Sequence, residues 1–276
     1  MENDGGKRKV DRRVYLAIGF VCLGVAVGAA VYLIVYLVSL NRGNQGFEDL
    51  REVADQTVES VPPEESSGPE EAASTEPEEA ADPDENMNRV INFAAVQKEN
   101  ADIYAWIYIP DTNVDYPVLQ HPTDDSYYLN YNLDGTKGYP GCIYTERVNA
   151  KDFMDFNTLI YGHNMKNGSM FHDLHQYADL SFLEEHPYVY LYLPDKTLKY
   201  QVFAAYRYDD RHIMYSFDFA SEAVRNGYLE GIFNIRELNS AIRKDVTVTA
   251  DDHVITLSTC VTGTDYRFLV QAVLMD

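Results

Sequence analysis

Twenty-seven consecutive residues, Val14 to Leu40, carry no charged side chain, and this run constrains the chain before any other feature does. As a helix rising about 1.5 Å per residue it reaches about 40 Å, enough to cross the roughly 30 Å hydrocarbon layer of a bilayer. A cleaved signal peptide has a shorter apolar core, about 7–15 residues ahead of a small-residue cleavage site. Here the apolar run continues well past Gly28, Ala29 and Ala30, so an uncleaved signal anchor is expected at 14–40. Lys7, Arg8, Lys9, Arg12 and Arg13 precede it, whereas only Arg42 follows closely. The positive-inside bias therefore places residues 1–13 in the cytoplasm and everything beyond the anchor on the extracellular side of the cell membrane. Gly24 and Gly28 make a GxxxG spacing, which alone is weak evidence for helix pairing.

The chain carries 44 acidic and 22 basic residues, a formal net charge of −22. Phosphate neutralisation needs clustered Lys and Arg, so a dedicated nucleic-acid binder is excluded. Three cysteines rule out a disulfide-stapled miniprotein. The acidic excess is uneven. Residues 41–88 hold 15 acidic and 2 basic residues, with Pro62, Pro63, Pro69, Pro77 and Pro83 among Glu, Ser and Ala. So few large apolar groups cannot offset ordering entropy, and a disordered stalk that supplies distance is expected. Residues 89–276 hold 26 acidic and 15 basic residues and nearly all the aromatics, and form the expected folded domain.

Hydrophobic spacing in that domain predicts a helix around Asn88–Glu99 and another at Phe219–Gly231. Between and after them lie short β-rich runs at Ile103–Ile109, Val114–Leu119, Cys142–Glu146, Thr158–Tyr161, Tyr188–Leu193, Leu198–Tyr208, Asp245–Val248, His253–Ser258 and Arg267–Leu274. Turn signals such as Asp134-Gly135 and Pro140-Gly141 separate many of them. Many short strands with few helices predict a mainly β domain, a closed or nearly closed barrel with helical insertions.

Cys22 lies in the anchor, and Cys142 sits in an apolar strand where packing is expected. Cys260 ends the strand-like run HVITLSTC and precedes the turn-forming Thr262-Gly263-Thr264-Asp265, with Arg267 returning on the next strand. That placement exposes a thiol beside a cation. Taken alone, such a cysteine is more often structural than nucleophilic. Among seven histidines, His163 in NTLIYGHNM also stands where an apolar strand breaks into a loop. His172 and His175 share helical spacing, but no cysteine or carboxylate cluster accompanies them and no metal site is expected. His121, His186, His212 and His253 read as surface histidines.

The ordered segments TLIYGHNM (158–165), TLSTC (256–260) and YRFLVQAVL (266–274) resemble the sortases, membrane-anchored cysteine transpeptidases of Gram-positive bacteria. NADIYAWIYIPDTNVDYPVLQ (100–120), YGHNMKNGSMF (161–171) and a helix interposed before the last strands are similar to class B members in particular. The resemblance spans 89–276. It implies a closed barrel of about eight strands with an N-terminal helix and a helix inserted before the last strands. It further implies Cys260 as nucleophile, His163 as general acid/base and Arg267 as the cation on the substrate oxyanion. Tyr161 and Ser258 match positions beside the active histidine and cysteine, and Met214 and Tyr215 fall in the loop implied to bind the sorting signal. At Asp125-Ser126 the family pattern would place an asparagine in the substrate groove, a departure that bears on the sorting motif.

Each catalytic assignment has its own chemical reason. A thiol with an ordinary pKa of about 8.5 is mostly protonated at neutral pH and needs a base or cation to attack. Histidine can protonate a departing amine and deprotonate an incoming one. Arginine stays charged and offers fixed donors for an oxyanion. The resemblance implies cleavage of NPxTx- or SPxTG-like sorting signals at the threonine carbonyl. Transfer would follow to an amine of the peptidoglycan cross-bridge or its lipid-linked precursor, or to a pilin lysine. No cofactor is implied. An L,D-transpeptidase would be expected to show a His-Gly-Cys type sequence, and a papain-like peptidase a helix-borne cysteine before its histidine; neither order is present. A non-catalytic binding domain on the same barrel is the other alternative. A Cys142–Cys260 disulfide, were it to form, would silence the enzyme.

Overall fold

The computed structural model describes residues 12–56, 84–261, 263 and 265–275. Helix α1 runs Arg12–Ala54, and the apolar side chains of Phe20, Val21, Leu23 and Val25 to Leu37 along it are exposed. Its most apolar window has a mean hydropathy of 2.5, and it is long and apolar enough to cross a membrane. Residues 1–11 of the basic N-terminus lie outside the described residues.

The chain divides into two compact units, residues 1–42 and 43–276. The second contains more than the sequence predicted, because residues 43–54 are helical and packed where a disordered stalk is expected from residue 41. Phe47, Leu50 and Ala54, at helical spacing, are buried. Phe47 meets the Tyr116 ring edge-on at 5.3 Å, and Arg51 donates from Nε to the Asp115 carbonyl at 2.7 Å while lying over that ring. Burial of a Phe or Leu side chain is worth about 1.5–3 kcal/mol, which outweighs the acidic composition that the average over 41–88 emphasises. Residues 57–83 of the expected stalk lie outside the described residues.

A 3₁₀ turn at Glu85–Asn88 leads to helix α2 (Phe93–Glu99). The helix starts later than Asn88 because Asn92 caps it, its side chain accepting from the Ala95 N–H at 3.1 Å. Among the described residues nine strands follow: β1 (Ile103–Tyr108), β2 (Asp115–Leu119), β3 (Ile143–Tyr144), β4 (Asn157–Tyr161), β5 (Tyr188–Tyr192), β6 (Thr197–Tyr208), β7 (Ala241–Ile242), β8 (Val254–Cys260) and β9 (Arg267–Leu274). Short helices α3 (Tyr127–Asn130), α4 (Leu180–Glu185) and α5 (Ile213–Ser216) and the longer α6 (Glu222–Phe233) interrupt them.

The strand order is β5-β1-β2-β3-β4-β8-β9-β6-β7, and β5 also pairs with β6. Eight strands thus close on themselves, with β7 as an appendage on β6. Closure removes the free edges that an open sheet exposes. Trp106, Tyr190, Tyr192, Tyr200 and Phe203 are fully buried in the core.

Two further expected elements differ. Asp245–Val248 is not a strand; β7 instead pairs Ala241 and Ile242 with Ala205 and Ala204, and β6 is already occupied by β9 on its other edge. Helix α6 begins at Glu222 rather than Phe219, because Phe219 is drawn inward against Phe217 and Phe156.

Candidate active site

Strands β8 and β9 run antiparallel, with Cys260 opposite Arg267. The Val261 N–H donates to the Tyr266 carbonyl at 3.0 Å. Cys260 and Arg267 are therefore a non-hydrogen-bonded pair, the kind whose side chains approach most closely. Arg267 Nη1 lies 3.6 Å from the Cys260 Sγ. The connection that brings them together is short, and Gly263 within it adopts φ +76°, a conformation glycine takes without strain.

On its other edge β8 pairs in parallel with β4, Tyr161 opposite Ser258, and the Gly162 N–H donates to the Ser258 carbonyl at 3.1 Å. The two strands end together. His163, two residues past Tyr161, emerges level with Cys260, two residues past Ser258. Parallel neighbours buried on both faces explain the near-continuous apolar runs TLIY and VITL.

The step from Tyr161 to His163 requires glycine. A Cβ on Gly162 would stand 2.6 Å from the Phe171 ring and would also collide with Ile143. Gly162→Ala is expected to destabilise the fold by about 1–3 kcal/mol, read by denaturant unfolding, and to slow turnover because the displaced residue carries His163.

His163 donates from Nε2 to the Leu129 carbonyl at 2.7 Å, which leaves Nδ1 to exchange protons. The Tyr139 ring stands edge-on to the imidazole at 5.2 Å. Burial pushes the His163 pKa below the ordinary imidazole value, only partly offset by the Leu129 carbonyl. The ring is consequently neutral at physiological pH and ready to accept a proton.

Beside this centre Tyr144 stacks on Tyr161 with ring centroids 5.3 Å apart. Burial, with the charge of Glu146 adding to it, raises both phenols far above their usual range, so both remain hydrogen-bond donors. Glu146 accepts from His212 Nε2 at 2.6 Å, and the Tyr161 hydroxyl lies 3.2 Å from the same nitrogen. This ties the α5 loop to the barrel rim. Tyr215 is exposed and lies over His212, while Met214 is half-buried against the core. Ser258 is buried beneath Cys260 on the same strand.

Asp125 is engaged as a clamp. It accepts from Arg147 Nε at 2.9 Å and Nη2 at 3.0 Å, and these bonds lower its pKa. Ser126 precedes α3 and bonds Asp124 through its N–H and hydroxyl.

Residue reasoning passed over His212, read as a surface histidine, and the backbone carbonyl of Leu129. Neither leaves a local sequence signal, since both act through residues distant in the chain. The Cys142 thiol is buried, its pKa driven up by that burial, and both Cys142 and Cys260 are free.

The family model for the sortase domain matches residues 107–275. Sortase B of Listeria monocytogenes is 38% identical over 184 residues, covering 65% of this chain and 72% of that protein. Sortase B of Staphylococcus aureus is 33% identical over 170 residues, covering 61% and 67%. Among solved structures, sortase B from B. anthracis in complex with AAEK1 aligns with a TM-score of 0.66 at 27% identity, covering 87% of this chain and 99% of that one. The S. aureus sortase B–substrate complex aligns with a TM-score of 0.58 at 30% identity, covering 67% and 84%.

Proposed function

The chain belongs to the sortase family as a class B sortase, and from that premise we propose that Cys260, His163 and Arg267 carry out its transpeptidation. The observation that carries this reading is the 3.6 Å approach of Arg267 Nη1 to the Cys260 Sγ, at the strand end level with His163.

In the first half-reaction neutral His163 takes the thiol proton through Nδ1, and the Cys260 sulfur attacks the threonine carbonyl of a sorting signal. Negative charge develops on the carbonyl oxygen, where the Arg267 guanidinium stabilises it. His163, now an imidazolium, gives its proton to the departing amine as the C–N bond breaks, leaving a thioacyl-enzyme. In the second half an acceptor amine loses a proton to His163 and attacks the thioester, and the thiol is regenerated. The acceptor is an amine of the peptidoglycan cross-bridge or its lipid-linked precursor.

Tyr161, Ser258, Met214, Tyr215, Asp125 and Ser126 border the substrate groove in this reading. Asp125 shapes it through Arg147, since its carboxylate is already occupied. Helix α1 anchors the enzyme in the membrane with residues 1–13 inside and the catalytic domain outside, an orientation supported by the basic cluster before the apolar run.

The covalent intermediate is the decisive test. The detergent-solubilised full chain is mixed with NPxTx and SPxTG peptides without acceptor amine, quenched in acid and measured as intact protein. The expected result is a mass increase equal to the acyl fragment, mapped to Cys260. An unmodified Cys260 under conditions where the peptide is consumed would sink the assignment.

A further inference from the structure

The carbonyl of Cys260 is held by side chains that the mechanism does not otherwise use. Because Cys260 and Arg267 form a non-hydrogen-bonded pair, the Cys260 C=O points away from β9 and towards the end of β4. There the parallel ladder stops after the Gly162 N–H bond to Ser258. Asn164 stands at the next donor position, and its side-chain amide donates from Nδ2 to the Cys260 oxygen at 3.1 Å. His175, in the 3₁₀ segment His172–Ala178, places Nε2 3.2 Å from the same oxygen. The amide orientation of Asn164 is set by His172, whose Nδ1 lies 2.8 Å from Asn164 Oδ1. A carbonyl oxygen and an amide oxygen only accept, so His172 Nδ1 and Asn164 Nδ2 are donors. His175 Nε2 also lies 3.0 Å from Asn164 Nδ2, and because an amide nitrogen only donates, His175 accepts one of its hydrogens and buttresses the amide that holds the Cys260 oxygen. Its ring packs on Phe268 at 4.9 Å, beside Arg267.

We propose that Asn164 and His175, with His172 orienting the amide, are positioning residues that lock the Cys260 peptide plane and so hold the nucleophilic sulfur against Arg267. This rests on Cys260 being the nucleophile. The Val261 N–H of this peptide is held by the Tyr266 carbonyl on the β9 side, but on the β4 side the ladder has ended and its C=O is held by these side chains, and a shift of about 1 Å in a reacting group costs on the order of 10²-fold in rate. The spacing of His172 and His175, at which no metal site is expected from the sequence, places one ring on each side of the Asn164 amide.

The test uses near-isosteric variants of the detergent-solubilised full chain and two readouts, cleavage of a quenched NPxTx or SPxTG peptide and alkylation of Cys260 by iodoacetamide followed by peptide mapping. Asn164→Asp keeps the volume and removes the donor, and is expected to lower kcat about 30-fold with KM within about twofold, as for misplacement of a reacting group. His175→Gln retains an amide oxygen able to accept from Asn164 near the Nε2 position and should stay within about threefold of the parent, whereas His175→Asn, too short to reach, should fall about tenfold. Alkylation of Cys260 should slow in Asn164→Asp and His175→Asn but not in His175→Gln. In an Arg267→Ala background these variants should add little further loss, the non-additivity expected of groups acting through one contact.

Equal kcat and alkylation rates for His175→Gln and His175→Asn would overturn the proposal. If Asn164→Asp does not fold, as judged by its melting curve, the two His175 variants decide the matter alone. Cys260→Ala separates the levels: turnover surviving in it defeats the nucleophile assignment, while an inactive Cys260→Ala beside fully active Asn164 and His175 variants defeats only the positioning role.

Discussion

Cys260→Ala is expected to eliminate turnover, with kcat reduced by at least about 10⁴-fold, because nucleophile and base act as a unit and removing one member removes the covalent route. Cys142→Ala supplies the contrast. That thiol is buried, and burial raises its pKa, so it contributes packing and no nucleophile. Its loss should cost stability without changing kcat. Peptide cleavage for both variants, with circular dichroism to verify the fold, checks the pair. Cys260→Ser is expected to resemble alanine more than the parent, because a hydroxyl beside a neutral imidazole is far less readily ionised than a thiol. Turnover in Cys260→Ala at the parent rate would contradict the mechanism, and loss of kcat in a folded Cys142→Ala would contradict the division of roles between the two thiols.

Most of the barrel was legible because its strands carry their own local signal. Arg267–Leu274 forms as predicted, and the β4 and β8 boundaries shift by no more than two residues, since both strands are buried on two faces and read as continuous apolar runs. Boundaries failed where a tertiary contact overrode local pattern. Phe219 left its helix for Phe156 and Phe217, and Val246 is buried without joining a strand. Composition misled at 43–54, where Phe47, Leu50 and Ala54 make one apolar stripe inside an acidic average. The site divides in the same way. Cys260 and Arg267 were visible as a cysteine before a turn and a cation after it, because a hairpin is a local structure. The Glu146–His212 pair and the Leu129 carbonyl join segments 66 and 34 residues apart, and no periodicity encodes such distances.

Arg267 carries the second large effect. Its guanidinium lies 3.6 Å from the sulfur, so an oxyanion formed at a carbon bonded to that sulfur lies within reach of the same fork. Removing one oxyanion-stabilising donor costs about 10²–10³-fold in kcat, roughly 2.7–4 kcal/mol, and Arg267→Ala is expected in that range with little change in KM. Arg267→Lys keeps the charge but replaces a planar fork with a single hydrated ammonium on a different reach, so it should recover only part of the loss. The order parent, lysine, alanine in kcat, at similar KM, is the signature of a group used in the transition state rather than in ground-state binding. A rise in KM with kcat unchanged would instead make Arg267 a substrate clamp. Retention of the parent kcat in a folded Arg267→Ala would leave the oxyanion without the partner assigned to it. The half-buried position of Arg267 opposite Cys260, at the first register of β9, makes it the guanidinium that the hairpin itself delivers to the sulfur. A lysine at position 267 would start from the same backbone site, so any difference between the two cations reports side-chain geometry alone.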